Sequence, residues 1–153
     1  MPKILSGGVK TETVHLTMNQ SWNERKYYNQ ILRSMSVRTQ FLGNIKLIFE
    51  HGVHCSKNKS RLQRLLAIHE LHYVVEQILR ERYPQYDQTK IDVKHERFID
   101  ILNALNKKQS IPDKESLLHL NDDRNRAEHS NRIPPYEEIQ HYVVVVRNFL
   151  RWS

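Results

Sequence analysis

The sequence predicts an all-α protein, an antiparallel bundle of about four to five helices. Three observations carry that expectation. Apolar residues recur at spacings of threes and fours through most of the chain, as an amphipathic helix requires. Breakers separate these stretches at Gly52 with the polar run Ser56 to Ser60, at Pro84, at Pro112 and at Pro134-Pro135. The one good strand candidate, Val143 to Val146, stands within helical spacing and far from any other strand that could pair with it.

Taken in order, residues 1–18 hold Gly7-Gly8 and several threonines without helical period, and read as a flexible arm with a short extended piece at Val14 to Leu16. Residues 19–153 read as a single helical domain. Its first helix spans Ser21 to Glu50 with Tyr28, Ile31, Met35, Leu42, Ile45 and Phe49 on one face, and Gly43 as a candidate bend. Gly52 and Ser56 to Ser60 are expected to turn the chain, with Ser60 capping a second helix from Arg61 to about Tyr83 that Pro84 stops. Its predicted buried face is Leu62, Leu65, Leu66, Ile68, Val75, Ile78 and Leu79. A third helix centres on Phe98, Ile101, Leu102 and Leu105 and fades into Asn106 to Ser110. Pro112-Asp113 opens a fourth, which carries Leu117, Leu118 and Leu120. The fifth, Tyr136 to Trp152, buries Ile139, Tyr142, Val143, Val146, Phe149 and Leu150.

A length of 153 residues with 39% hydrophobic content suits one domain with a real core. The 24 Lys and Arg against 17 Asp and Glu give a net charge of +7, which favours a polyanionic partner, nucleic acid first. A single cysteine, Cys55, excludes an internal disulfide and fits a reducing compartment, so a cytoplasmic location is expected. No basic segment leads into an apolar run at the N-terminus, and no stretch approaches the roughly 20 apolar residues that span a bilayer. Secretion and membrane insertion are therefore not expected.

The chemistry concentrates in Arg124-Asn125-Arg126-Ala127-Glu128-His129, at the end of the fourth helical stretch. Arginine is a permanent planar cation suited to a phosphate or a phosphorane-like transition state, and histidine exchanges a proton near neutral pH. On a straight helix at about 100° per residue, Asn125 and His129 share a face while Arg124 and His129 lie about 140° apart. The two therefore meet either through the reach of arginine or across two copies of the motif.

Over roughly Leu117 to Leu150 this pattern resembles the HEPN domains, all-α proteins whose catalytic members carry an arginine, a polar residue and a histidine as R-x4-6-H. Arg124, Asn125 and His129 match it. The resemblance implies a homodimer whose two motifs line one groove, and a metal-independent endoribonuclease that cleaves RNA by 2′-OH attack, as a toxin or an antiviral defence effector. It also implies, as a further partner, an antitoxin or a defence-system protein. HEPN toxins paired with a nucleotidyltransferase antitoxin often carry tyrosine two residues after the histidine, where this chain has Asn131. The resemblance does not extend to that pairing.

In this reading His129 transfers the proton, Arg124 stabilises phosphoryl charge, and Asn125 orients the imidazole or holds a nearby backbone. Asp123 and Glu128 are supporting acids that position these groups. Arg126, Arg132, Lys107, Lys108 and Arg147 are candidate contacts to an RNA backbone. His51, His54, Cys55, His69 and His72 are zinc-ligand types, but their spacing is loose and His69 and His72 sit among core leucines, so no metal and no cofactor is expected. The alternatives are a non-catalytic HEPN-like module that binds RNA or a nucleotide, and a structural helical dimerisation domain.

Overall fold

The structure is a computed structural model that describes residues 40–86 and 96–153. The expected arm over 1–18 and the helix positions Tyr28, Ile31 and Met35 lie outside the described residues. Five helices and no strand occur among those described. They are α1 (residues 40–56), α2 (Arg61–Tyr86), α3 (Phe98–Lys108), α4 (Lys114–Ser130) and α5 (Tyr136–Trp152). Residues 45–153 form one compact unit, and 40–44 are helical. The all-α expectation holds.

α2 is the central element, packed against α3, α4 and α5. Its buried residues, Ala67, Ile68, Leu71, Val74, Val75, Ile78, Leu79 and Tyr83, occupy about half of the helical circumference. A helix with one neighbour needs a stripe of only about 100°. Leu62, expected in the core, is 62% exposed, because it lies in the first turn and outside that buried band. Leu65 and Leu66 are half-buried.

Two expected breaks fall elsewhere. α1 does not turn at Gly52 but runs through it to residue 56, and the chain turns at 57–60. A Cβ placed at Gly52 would stand 3.3 Å from the Glu70 Cβ, so the glycine serves the close approach of α1 to α2. α2 likewise continues through Pro84 to Tyr86. Proline deletes only its own bond to the carbonyl four residues back, and in the last turn little helix remains to be lost. Ser60 caps α2 as expected, its Oγ accepting the Gln63 N–H at 3.3 Å.

α3 buries Phe98, Ile101, Leu102 and Leu105, the four residues its spacing singled out. Asn106 then accepts the Ile111 N–H at 2.9 Å and folds the connection back toward α4. The four valines are helical: Val143, Val145 and Val146 are buried within α5 and Val144 is 51% exposed. Cys55 of α1, Ala67 of α2 and Ile139 of α5 meet in one buried cluster, with Leu66 and Ile133 at its margin.

Candidate functional site

The motif occupies the last two turns of α4, and the helix ends immediately after it. Asn131 adopts a left-handed conformation (φ 55°), which asparagine tolerates better than most residues, and the Arg132 N–H reaches back to the Arg126 carbonyl at 3.3 Å. The start of α2 braces this end. Arg61 donates to the Asn131 carbonyl at 2.7 Å and Arg64 to the Pro134 carbonyl at 2.8 Å. Further along, His72 meets Asn121 at 3.0 Å, so α2 and α4 run antiparallel and the motif faces the N-terminal half of α2.

Within the motif the polar groups pair along the helix. Arg124 Nη1 lies 2.8 Å from Glu128 Oε2 and donates to Asn125 Oδ1 at 3.1 Å. Asn125, expected to orient the imidazole, therefore holds the guanidinium. His129 is exposed and its imidazole makes no hydrogen bond among the described residues. Arg124 and His129 do not pair with each other, in keeping with their separation around the helix. Asp123 accepts the Tyr142 hydroxyl at 2.5 Å and stands 3.7 Å from Arg126, which ties α4 to α5. Burial pushes the Tyr142 phenol well above its ordinary range, and the Asp123 hydrogen bond and charge push it further.

Arg124 also lines an open cleft of about 380 Å³ with Ile48 of α1 and His69, Glu70, His72, Tyr73 and Glu76 of α2. Beneath it His72 is buried, stacked on Phe98 with ring centroids 4.9 Å apart, and its Nδ1 is 3.6 Å from Glu76. Desolvation lowers its pKa from the ordinary histidine value; Asn121 and Glu76 oppose that shift, while Arg124 and His69 add to it. His72 thus shares a hydrogen bond with Asn121 beneath the arginine, with burial favouring its neutral form. Sequence reasoning placed His72 in the core but missed this link to the motif. The available signal was Asn121 one turn before Arg124, with His69 and His72 one turn apart on a neighbouring helix.

The basic candidates divide. Arg126 and Arg132 are exposed beside the motif. Lys107 and Lys108 end α3 and lead into the opposite end of α4, whose first residue, Lys114, lies about 15 Å along the helix from Arg124. Arg147 lies over the Phe49 ring at 6.0 Å, on the α1 side of α5. In their place, the α1–α2 turn brings lysines to the motif's end of the bundle: Lys59 stands 5.3 Å over the Tyr136 ring, and Lys57 and Lys59 line a second depression with His54, Asn58 and Gln63. Among the described residues no helix is long and apolar enough to cross a membrane.

Compared with protein-family models, with curated proteins and with solved structures, the chain matches none.

The state of His72 sets a pH dependence. Its folded pKa lies below the unfolded value of about 6.5, so the unfolded chain binds the extra proton between those two values. This contribution is fully present above pH about 6.5 and is lost as the pH falls from there toward the folded pKa. Thermal denaturation across pH 5 to 8 (a range of about three units) is expected to show Tm falling on the acid side, with His72→Gln flattening the slope. An identical acid slope in the variant would place the titrating group elsewhere.

Proposed function

We propose that this protein is a metal-independent, HEPN-type endoribonuclease that acts as a homodimer. The observation that carries the reading is the grouping of Arg124, Asn125, Glu128 and His129 at one helix end, with His129 exposed and Arg124 partly exposed and doubly held beside a cleft. The reaction is transesterification within the RNA strand. A 2′-OH attacks its adjacent phosphorus, the P–O5′ bond breaks, and the products carry a 2′,3′-cyclic phosphate and a 5′-OH.

One imidazole takes the 2′ proton while another protonates the leaving 5′ oxygen, so two copies of His129 across a dimer axis supply both roles. Arg124 offsets the charge that builds on the non-bridging oxygens; Glu128 and Asn125 aim its guanidinium until the more negative phosphorane-like state replaces them as partner. Arg126 and Arg132, with Lys57 and Lys59 from the α1–α2 turn, form the surface along which an RNA backbone runs. A toxin or phage-defence role, with an antitoxin or defence partner in a reducing cytoplasm, follows from the family resemblance.

The test is cleavage of single-stranded RNA by the purified chain in EDTA, with its mass read by sedimentation at micromolar concentration. Undiminished cleavage by a species of twice the chain mass is expected. Loss of cleavage on chelation, restored by magnesium, would contradict the mechanism. Salt-dependent RNA binding without cleavage would assign the same surface to recognition instead.

A further inference from the structure

On the α1 side of the cleft that Arg124 lines, His51 and Cys55 stand one helical turn apart on the same face of α1, opposite Glu70 of α2, which also lines that cleft. One ligand atom from each lies within 4.8 Å of the others. His51 Nδ1 is 2.6 and 2.8 Å from the two Glu70 oxygens and 3.8 Å from Cys55 Sγ. We propose that His51, Cys55 and Glu70 bind a zinc-class divalent cation that clamps α1 to α2.

Three features support the assignment. The first is scale: zinc bonds of about 2.0–2.3 Å in tetrahedral geometry place neighbouring ligand atoms roughly 3.3–3.8 Å apart. The Cys55–His51 separation already meets that, and the His51–Glu70 contact needs to open by less than about 1 Å. The second is chemistry, since a thiolate, an imidazole and a carboxylate form a borderline-soft set that selects zinc over magnesium or calcium. The third is construction. Gly52 lies between the two α1 ligands and lets Glu70 approach the helix backbone, where a Cβ at that position would stand 3.3 Å from the Glu70 Cβ.

The set runs from core to surface: Cys55 is 1% exposed beside Ala67 and Ile139, while His51 is exposed and Glu70 half-buried. A water completes the tetrahedron on the open side. On binding, the Cys55 S–H bond breaks, its proton passes to solvent, and the sulfur lone pair forms the metal bond. The cation adds a bond between two helices that already pack together and are joined in sequence by a four-residue turn, residues 57–60. Because it binds the assembled pair, it raises the stability of the folded chain by mass action. The motif on α4 supplies none of the ligands.

The experiment uses the full, untagged chain after chelator treatment, in the absence of RNA. Zinc is expected to bind at one equivalent per chain by elemental analysis and to raise Tm. Cobalt(II) is expected to show a thiolate-to-metal charge-transfer band with intense tetrahedral d–d bands. Cys55→Ser should abolish the charge-transfer band, and His51→Gln and Glu70→Gln should each weaken zinc at least about tenfold. His54→Ala, on the same helix with its ring 6.4 Å from that of His51, should leave binding unchanged. His51 is exposed, so its variant keeps the test valid if Cys55→Ser fails to fold. Sub-stoichiometric zinc, a cobalt spectrum without the thiolate band, or full affinity in both His51→Gln and Glu70→Gln would overturn the proposal. Because the readout is metal binding without RNA, its failure leaves the ribonuclease reading standing, and an inactive but zinc-binding chain would do the converse.

Discussion

RNA cleavage is expected to fall about 10²- to 10⁴-fold in His129→Ala, the range that a positioned general acid or base contributes. Arg124→Ala should lose a similar amount, and Arg124→Lys should recover only part of it, because an ammonium cannot reproduce the planar fork of a guanidinium. Folding should be nearly untouched in all three variants. His129 is exposed and unpaired among the described residues, and the Arg124–Glu128 contact is an i,i+4 surface pair with side chains 30% and 43% exposed. Such pairs contribute about 0.3–0.5 kcal/mol. Single-turnover cleavage beside circular-dichroism melts separates catalysis from folding. Wild-type rates in both alanine variants, or cooperative melting lost along with activity, would contradict the assigned roles.

Stability is expected to fall by about 3–5 kcal/mol in Phe149→Ala, whereas Val144→Ala should change it by less than about 0.5 kcal/mol. Both residues are apolar side chains of α5. Phe149 is fully buried and stacked on Trp152 with centroids 5.5 Å apart, while Val144 is 51% exposed between buried neighbours. The helix puts these two side chains in different environments, and urea unfolding would measure the contrast. Equal losses at both positions would mean that α5 packs on both sides.

α3 and α5 were legible because each buries a face set by threes and fours, so Phe98, Ile101, Leu102 and Leu105, and likewise Ile139, Tyr142 and Phe149, announce their own burial. α2 was less so. With α1, α3, α4 and α5 all against it, its buried band takes in Ala67 and Val74 at its edge and Leu71 within it, none of which the predicted face includes. Gly52 and Pro84 misled for one reason: each residue breaks helices on average, yet tertiary contact decides the single case. Gly52 is retained by the proximity of Glu70, and Pro84 falls where only two further helical residues follow.

At the site, local pattern located Arg124, Asn125 and His129 on one helix end but not what lies beneath them. The His72–Asn121 pair joins residues 49 apart in sequence, and the lysines of the α1–α2 turn approach the motif only because α2 and α4 run antiparallel. Lys107 and Lys108 show the converse. They are near the motif in sequence and stand at the far end of α4 in the fold.

In the proposed reaction the RNA's own 2′-OH is the nucleophile and His129 moves the proton. This chemistry is tested most directly by end-group analysis of a single-stranded RNA cleaved by the wild-type chain, alongside the same strand with one 2′-deoxy nucleotide at the cleaved position. The first should give 2′,3′-cyclic phosphate and 5′-OH ends, and the second no cut at that position. Ends bearing a 5′-phosphate, or unchanged cleavage of the deoxy-substituted strand, would contradict this chemistry.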